Sequence, residues 1–437
     1  MSLVVVGGGL SGLFTAIATI AAGEDDVVVV EKSDRPGGVA ETISHDGFSL
    51  EPAVGSMTLP HPHLSPILDL IGAEMVAAPA EAATRYLFVD GRLVEIPASP
   101  RALLAPVLSW RGRVRAMGEV LRSSTPPIDE VTLARFCTQH FGDEVGQLMA
   151  WLMASGVFAG DPDLLSAQAA FPQLVTMARD HGSLIRGMMR RRRDRPTGLA
   201  GPRVHYPAAG LTELARRATR FLGSRYRGGF EVASVRRDRA GWVVAGPEVL
   251  RARSVVVSTH PLEAATLFDE ELGAHLAKAR SAPVAVVGLG GRGEQVVPNG
   301  LGALVGPGEG LASLGFLFES EYAPERAPEQ SWLIKVIAGG ATQPDLVESD
   351  RIAEIARSEA ERVLSRELDP SFIEVARHRR GIPQYNVGHV RWLETLDLLL
   401  EDRPGLDLTG WSYRGVGVGH LATDARRVAA RVADRSS

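Results

Sequence analysis

Two short apolar runs near the N-terminus are separated by a glycine-rich turn and a stretch of helical periodicity. The first run is Leu3 to Val6 and the second is Val27 to Val30, with Leu13 to Ala22 between them. Runs of four apolar residues without polar alternation are typical of parallel strands that are buried on both faces. The pattern therefore predicts a strand, a helix and a second parallel strand.

The rest of the chain alternates between strand-like and helix-like patterns. Arg85 to Val89 and Arg92 to Ile96 flank Asp90-Gly91, which predicts a hairpin. Residues 100–195 have mostly helical periodicity, and strands return from 204 onward. Further expected helices lie at 63–77, 211–222, 350–366 and 420–433, and further expected strands at 230–235, 241–244, 253–259, 283–290, 312–318 and 331–338. The sequence thus predicts an α/β fold with mixed α+β parts.

The turn between the first strand and the first helix has the glycine spacing of a dinucleotide-binding site. Gly7 permits the tight turn, Gly9 lets the backbone approach a pyrophosphate, and Gly12 lets the helix pack close to the strand. The helix N-terminus offers free N–H groups to the phosphates. Glu31 follows the second strand and is placed to bind an unphosphorylated ribose. An ordinary glycine-rich turn is the alternative, but the strand–helix–strand context favours a dinucleotide.

The segment after Glu31 indicates FAD rather than NAD. Arg35 precedes Gly37 and Gly38, and this Arg-x-Gly-Gly element resembles the one in FAD-dependent amine oxidases. There the glycine pair lets the loop run along the extended cofactor. A Pro-Gly turn without a ligand is the alternative interpretation.

Strand segments of one type recur at three separated places, which predicts a domain assembled from distant parts of the chain. We expect a Rossmann-type FAD-binding domain from residues 1–60, 204–270 and 384–437. A mixed-sheet substrate domain is expected from 61–95 and 271–383. An inserted helical domain, which could associate with a membrane, is expected from 96–203.

Composition indicates a folded protein without a nucleic-acid partner. The 437 residues are 45% hydrophobic and 23% charged, and the net charge of −5 argues against nucleic acid. Cys137 is the single cysteine, so no internal disulfide can form, and we expect it to be a buried thiol. No signal peptide and no apolar run of about 18 residues is visible, so we expect a cytoplasmic protein.

Several separated motifs resemble one enzyme family in family order. They include the N-terminal FAD motif and the strand Arg85 to Val89 with Asp90-Gly91. The others are Gly156-Val157-Phe158-Ala159-Gly160-Asp161-Pro162, Ile382-Pro383-Gln384-Tyr385-Asn386-Val387-Gly388-His389, and Gly410-Trp411-Ser412-Tyr413-Arg414-Gly415-Val416-Gly417-Val418. The chain resembles the oxygen-dependent protoporphyrinogen and coproporphyrinogen oxidases, FAD enzymes with a fold similar to that of monoamine oxidases.

This resemblance implies which residues hold FAD. Glu31 is expected to bind the adenosine ribose. The pyrophosphate is expected to be bound by Gly7, Gly8, Gly9, Leu10, Ser11 and Gly12. The resemblance places further residues beside the cofactor, with Val416 to Val418 at the flavin, where backbone N–H groups can stabilise negative charge on the reduced ring. These further residues are Gly38, Val39, Ala53, Val54, Gly55, Ser56, Val232, Val416, Gly417 and Val418.

The resemblance also implies a substrate site without a catalytic acid or base. Arg85 is expected to bind a propionate carboxylate of the porphyrinogen through its guanidinium group. Gly156 is expected to lie against the macrocycle, while Leu301, Leu304 and Ile337 match apolar positions that stack on pyrrole rings. Each of these three could equally be an ordinary core residue. No histidine has metal-ligand spacing, so no metal is expected.

Some positions depart from the family pattern. The stretch Pro52 to Met57 lacks a polar side chain that the family places near the flavin or substrate, because Gly55 stands there. The glycine pair before 211 is reduced to Ala209-Gly210, and a late family element reads Gly419-His420-Leu421. Lys335 lies in an apolar strand, and we expect its side chain to face outward.

The resemblance implies that protoporphyrinogen IX is oxidised to protoporphyrin IX in tetrapyrrole biosynthesis, with O2 as acceptor and hydrogen peroxide as product. Coproporphyrinogen III is the alternative substrate. More distant alternatives are an amine oxidase and a non-catalytic scaffold that binds FAD and porphyrin. The arginines at 190–193 and the apolar stretch 103–121 indicate peripheral contact with the cytoplasmic face of a membrane, although a solvated basic face explains them as well. A homodimer is left open.

Overall fold

The computed structural model describes residues 1–97, 106–121, 129–194, 203–293 and 295–436. The strands are β1 Leu3–Val6, β2 Val27–Val30, β3 Ile43–His45, β4 Phe48–Leu50, β5 Met57–Leu59, β6 Met75–Ala77, β7 Arg85–Val89, β8 Arg92–Ile96, β9 Arg203–Pro207, β10 Tyr226–Arg227, β11 Ser234–Asp238, β12 Gly241–Ala245, β13 Val249–Ala252, β14 Ser254–Val257, β15 Ser281–Arg292, β16 Gly302–Val305, β17 Ser313–Phe318, β18 Ser331–Gly339, β19 Phe372–Pro383 and β20 Leu406–Leu408.

The helices connect these strands or pack on their sheets. They are α1 Leu10–Ala21, α2 Leu64–Leu70, α3 Trp110–Met117, α4 Leu133–Phe141, α5 Asp143–Met153, α6 Ala167–Ala170, α7 Pro172–His181, α8 Leu184–Arg193, α9 Gly210–Leu222, α10 Pro261–Ala264, α11 Glu270–Leu276, α12 Glu319–Tyr322, α13 Ile352–Leu364, α14 His389–Glu401, α15 Trp411–Arg414 and α16 Val418–Ser436. A π-helical turn, Ala154–Phe158, continues α5. In the described ranges, no helix is both long enough and apolar enough to cross a bilayer.

A parallel sheet in the order β10-β2-β1-β14-β20 forms the first part of the molecule. Its strands come from residues 1–60, 204–270 and 384–437. Leu3 and Val5 pack with α1, α9 and α16 on one face, while Val4 and Val6 pack in a second core on the other. Burial on both faces explains why β1 and β2 are continuous apolar runs.

A seven-stranded mixed sheet in the order β19-β15-β18-β17-β16-β7-β8 forms the second part. Helix α13 covers one face, where Ile334, Val336 and Ala338 of β18 pack against Ile352 and Ala356. Because strand residues alternate between faces, Lys335 and Ile337 point to the opposite face. That face looks toward the segment that follows β4.

Helices α3 to α8 pack around their own core, which includes Phe136, Cys137 and Phe158. Residues 98–105, 122–128 and 195–202 of the expected helical domain lie outside the described residues. This helical part is attached to the seven-stranded sheet. The indole Nε1 of Trp151 donates to the Val305 carbonyl at 3.0 Å, and the Ala341 N–H donates to the Ala159 carbonyl at 2.8 Å.

One expected helix is shorter than its periodicity indicated. The prediction of a helix over 63–77 is wrong, because α2 ends at Leu70 and residues 75–77 form β6. Gly72 has a φ of +61°, a left-handed conformation that ends the helix. The chain then extends and pairs with β9.

Candidate cofactor and substrate site

A cleft of about 770 Å³ opens at the carboxyl ends of β1, β2 and β14. Its size lies in the range typical of small-molecule sites, and its position is where parallel sheets bind nucleotides. Many of the residues expected to hold FAD line it. These are Gly7, Gly9, Leu10, Ser11, Glu31, Gly38, Val39, Ala53, Val54, Val232 and Val418.

The glycine turn has the geometry that a bound pyrophosphate requires. Gly7 has a φ of +110°, and a Cβ at Gly12 would lie 2.0 Å from the Gly7 carbonyl oxygen, so both positions need glycine. Gly9 is the N-cap of α1 and places no side chain on the first turn of that helix. A Cβ at Gly9 would have its nearest neighbour at 3.8 Å. The space beside Gly9 is therefore open to a ligand.

Glu31 joins the turn to the cleft wall. Its Oε2 accepts the Gly8 N–H at 2.6 Å, and its Oε1 accepts the Ser33 N–H at 3.0 Å. Two backbone donors thus orient a carboxylate that lines the cleft. A carboxylate has about four acceptor sites, so lone pairs remain for ribose hydroxyls.

Six residues expected to bind the cofactor do not line this cleft: Gly8, Gly12, Gly55, Ser56, Val416 and Gly417. Gly8 and Gly12 shape the turn from behind. Val416 and Gly417 immediately precede α16, and Gly417 has a φ of +110°. Gly55 is buried behind the lining residues Ala53 and Val54.

The expectation that Lys335 faces outward is wrong. Its side chain is 1% exposed, and its Nζ lies 2.6 Å from Glu319 Oε1 and 3.0 Å from the Glu51 carbonyl oxygen. At Lys335 both faces of β18 are covered, one by α13 and the other by the segment after β4. A single strand pattern cannot show this second covering layer.

Lys335 belongs to a buried group of charged residues that we call the ion cluster: Glu51, Glu319, Tyr322, Arg326 and Lys335. Burial alone would raise the pKa of Glu319, but Lys335 and Arg326 lower it to about 2. Burial raises the pKa of Glu51 to about 6, against the opposing effect of Arg326. Glu51 Oε2 has no hydrogen-bond partner among the described residues. The two buried carboxyl groups thus differ in charge at mildly acidic pH.

Three of the expected substrate residues share one face of the seven-stranded sheet. Leu304 and Ile337 flank Gly315 in one row across β16, β17 and β18. In the adjacent row, Arg85 pairs with Gly302, which in turn pairs with Leu317, the partner of Lys335. Directly paired residues point to the same face, so Arg85, Leu304, Ile337 and Lys335 all point to it.

Gly156 and Leu301 complete the predicted set at different places. Gly156 lies in the π-helical turn, and a Cβ there would be 3.1 Å from Leu304 Cδ1. The turn exposes Gly156 and Val157 toward solvent, as π-turns frequently do at functional sites. Leu301 packs instead against the cluster that contains Tyr206 and Tyr322. Arg85 is exposed, and its Nη1 donates to the Ala83 carbonyl at 3.3 Å.

Several lining residues were missed by sequence reasoning. They include His378 and Arg380 of β19, which reach the cleft from the other sheet. Trp411 and Tyr413 belong to a family motif that the sequence showed, and they line the cleft from α15. The Tyr385 hydroxyl accepts the Gly415 N–H at 2.7 Å and donates to the Trp411 carbonyl, which ties the Pro-Gln-Tyr motif to this wall. The motif was visible in the sequence, but its supporting role became clear only from the fold.

Comparison with known proteins gives the same family over almost the whole chain. The family model described as flavin containing amine oxidoreductase matches residues 10–433. Protoporphyrinogen oxidase 1 from the chloroplast of Spinacia oleracea is 28% identical over 473 residues, covering 99% of this chain and 84% of the relative. Coproporphyrinogen III oxidase of Bacillus subtilis is 27% identical over 448 residues, covering 95% of this chain and 94% of the relative.

A solved structure has a similar fold from end to end. The chain superimposes on a protein of Exiguobacterium sp. 255-15, proposed to be a protoporphyrinogen oxidase, with a TM-score of 0.83 and 23% identity. The superposition covers 99% of both chains. The open glycine turn, the oriented Glu31 and the cleft fit the cofactor that this fold carries. The chain therefore belongs to the flavin-containing amine oxidoreductase family, and its cofactor is FAD.

Proposed function

We propose that this protein oxidises protoporphyrinogen IX to protoporphyrin IX, with O2 as the electron acceptor and hydrogen peroxide as product. The reaction removes six electrons and six protons from the macrocycle in three two-electron cycles. FAD, held by the glycine turn and Glu31, would supply the acceptor for each electron pair, with O2 as the final acceptor. The proposal is supported by relatives with porphyrinogen oxidase names that align over nearly the whole chain.

The observation that carries the proposal is the sheet face that holds Arg85, Leu304 and Ile337. Leu304, Gly315 and Ile337 form an apolar row with a glycine at its centre, opposite the glycine of the π-helical turn. A flat macrocycle needs such a surface, with small residues where the ring lies close. Ile337, at one end of this row, lies two residues after Lys335 on β18. Lys335 contacts the segment 51–55, whose residues Ala53 and Val54 line the cofactor cleft. Substrate and cofactor surfaces are thus adjacent.

Arg85 lies at the edge of the same face, where the carboxylates of a bound macrocycle would reach solvent. Within the described ranges, Arg85 makes one hydrogen bond, a long one to a backbone carbonyl, so its guanidinium group keeps donors for a ligand. Arginine can bind a propionate through two parallel hydrogen bonds. We therefore propose that Arg85 orients the substrate and leaves the chemistry to the cofactor.

Coproporphyrinogen III is the second candidate, because the Bacillus subtilis relative that bears its name aligns over 94% of its own length. The two substrates differ in their number of propionates. Coproporphyrinogen III carries more propionates, so its binding would need further cationic side chains beside Arg85 at the edge of the sheet face.

The test is porphyrin fluorescence during aerobic oxidation of each porphyrinogen by purified, FAD-loaded protein. We expect formation of protoporphyrin to have the higher kcat/KM. A preference for coproporphyrinogen would replace the substrate and keep the reaction class. No turnover of either substrate by protein with full FAD content would overturn the proposal and direct attention to amine substrates.

We also propose that the helical part contacts the cytoplasmic face of an anionic membrane. Trp110, Val114, Met117 and Leu121 form an exposed apolar stripe on α3 and the turn after it. Met188 and Met189 of α8 are exposed beside the same turn. The surrounding exposed arginines complement anionic headgroups. They are Arg111, Arg190, Arg191 and Arg193.

Flotation with vesicles tests this contact. We expect binding to vesicles that contain phosphatidylglycerol, weaker binding at high salt, and loss of binding in a Trp110→Ser, Met189→Ser double variant. Leu398→Ser, at an exposed apolar position of α14, should bind as the parent protein does. If the parent protein did not bind phosphatidylglycerol vesicles, the proposal would be contradicted. Binding to neutral vesicles that was equally strong, and equal in all variants, would contradict it as well.

A further inference from the structure

The ion cluster lies between the seven-stranded sheet and the segment 51–55, and the proposed reaction leaves it without a role. Glu319 is 0% exposed, Glu51, Tyr322 and Lys335 are each 1% exposed, and Arg326 is 5% exposed. No member lines the cofactor cleft. No substrate could reach these side chains, so any function they have must act through their neighbours.

The neighbour that the cluster holds is the backbone of the cofactor wall. Lys335 Nζ donates to the Glu51 carbonyl at 3.0 Å, and Arg326 Nη2 donates to the Gly55 carbonyl at 2.6 Å. His378 Nε2, from β19, donates to the Pro52 carbonyl at 2.9 Å. Lys335 and His378 of the seven-stranded sheet, with Arg326 from the turn Pro324–Arg326 before β18, thus hold both ends of this segment. Its middle residues, Ala53 and Val54, line the cleft.

Glu319 compensates the buried positive charges of Lys335 and Arg326. Its Oε1 contacts Lys335 at 2.6 Å and accepts the Tyr322 hydroxyl at 2.7 Å, and its Oε2 pairs with Arg326. Arg326 also lies over the rings of Tyr206 and Tyr322. Buried ion groups often contribute less stability than well-packed apolar residues of similar volume. Apolar side chains, however, could not donate to the backbone carbonyls of the cofactor wall.

The glycine at position 55 fits the cluster sterically. A Cβ there would lie 2.7 Å from Lys335 Nζ and 2.6 Å from the Tyr322 hydroxyl oxygen. The cluster therefore occupies the space that a side chain at position 55 would need. The polar side chain missing from the segment 52–57 is replaced by donors that reach the segment from behind.

We propose that Lys335, with Arg326 and their counter-ion Glu319, is a positioning residue that fixes the Ala53–Val54 wall against FAD and keeps a positive charge behind it. The inference rests on the FAD cofactor and is independent of which porphyrinogen is oxidised. A fixed wall raises FAD affinity because less of the segment must be ordered on binding. Lys335 and Arg326 together offset the charges of Glu319 and Glu51, so loss of the Lys335 charge would leave net negative charge behind the wall. That change would disfavour the reduced flavin, which gains negative charge.

The test uses Lys335→Met, which keeps most of the length of the side chain and removes its charge. FAD is removed and titrated back into the apoprotein, and the reduction potential is measured after reloading. We expect the Kd for FAD to rise about tenfold to hundredfold, the range expected for a lost charge-assisted hydrogen bond. We also expect the reduction potential to fall.

Lys278→Met is the matched control, because Lys278 is exposed on the surface. It should leave both the Kd and the potential unchanged. If Lys335→Met does not fold, the double variant Lys335→Met, Glu319→Gln removes the unpaired carboxylate and is compared with Glu319→Gln alone. An unchanged Kd and potential in the folded Lys335 variant would overturn the proposal, even if its melting temperature fell. Failure of porphyrinogen turnover would not affect these two readouts.

Discussion

The two backbone segments that face the cofactor, residues 7–12 and 51–55, are built in opposite ways. The glycine turn at 7–12 is shaped by its own residues, since Gly7 and Gly12 meet within the turn and Glu31 follows on the next strand. The segment 51–55 is held by Arg326, Lys335 and His378, which are distant from it in sequence. Lys335 and His378 belong to the seven-stranded sheet, and Arg326 lies in the turn before β18. The first segment carries a sequence signature, and the second depends on tertiary contacts.

This difference predicts which parts of the molecule a substitution in each segment should affect. A change in the glycine turn alters the segment directly and should be confined to FAD binding or to the packing of α1 on β1. A change in the ion cluster should affect both the seven-stranded sheet and the segment 51–55, because the same side chains pack on the first and hold the second. Variants in the two regions therefore separate a local site from a shared one.

The largest effect is expected at Gly12. Gly12→Ala places a Cβ 2.0 Å from the Gly7 carbonyl oxygen and 2.5 Å from Ser258 Oγ, so the turn cannot close and FAD binding should be lost. Gly9→Ala is the matched variant, since its Cβ has open space in the apoprotein. We expect Gly9→Ala to keep the melting temperature of the apoprotein and to weaken FAD binding. Unchanged FAD affinity in Gly9→Ala would contradict the assignment of this turn to the pyrophosphate.

Glu319→Ala should give the next largest effect. It leaves Lys335 and Arg326 buried without their counter-ion, which costs about 3–5 kcal/mol of unfolding free energy. Denaturant unfolding followed by circular dichroism measures the loss. Glu348→Ala breaks the exposed pair with Arg379 and should cost far less, because solvent screens an ion pair on the surface. Equal losses in the two variants would show that the cluster is not a coupled buried group.

Arg85→Ala extends the comparison to the substrate face. Loss of a charge-assisted hydrogen bond to a propionate should reduce kcat/KM about tenfold to hundredfold, mainly through KM. Arg92→Ala, on the neighbouring strand of the same hairpin, is the control. FAD content should be normal in both variants. A fall in kcat alone for Arg85→Ala would argue against a role in binding.

A smaller effect is expected from the proton on Glu51. Burial raises its pKa from 4.5 to about 6, so the folded state binds this proton more tightly than the unfolded chain does. The resulting stability is complete below about pH 4.5 and is lost as the pH rises through about 6, a change of about 2 kcal/mol. Glu51→Gln should remove this contribution to the slope of unfolding free energy against pH. An unchanged slope would mean that the pKa of Glu51 is the same in the folded and unfolded states, which would contradict its burial.

The extent to which the sequence predicted the molecule follows the same division. The strand–turn–helix unit and the cleft residues around Gly7 and Glu31 were predictable, because residues close together in the sequence determine their geometry. Lys335 was misjudged, because the alternation of β18 shows two faces but not which layer covers each. His378 and the ion cluster were missed, because their roles depend on the packing of two sheets.

Some predictions of the sequence stay open to experiment. They are the division into domains and the roles of the five expected substrate residues. Arg85, Leu304 and Ile337 share one face of the seven-stranded sheet. Gly156 lies in the π-helical turn, and Leu301 packs in a neighbouring cluster. Burial and register place side chains on a face.

The most direct test of the proposed function is anaerobic mixing of the FAD-loaded protein with protoporphyrinogen IX, followed by flavin absorbance. We predict that the oxidised flavin spectrum bleaches at a rate no slower than aerobic turnover and returns when O2 is admitted. A flavin that stays oxidised with both porphyrinogens, yet is bleached by dithionite, would contradict the proposal that this chain is a porphyrinogen oxidase.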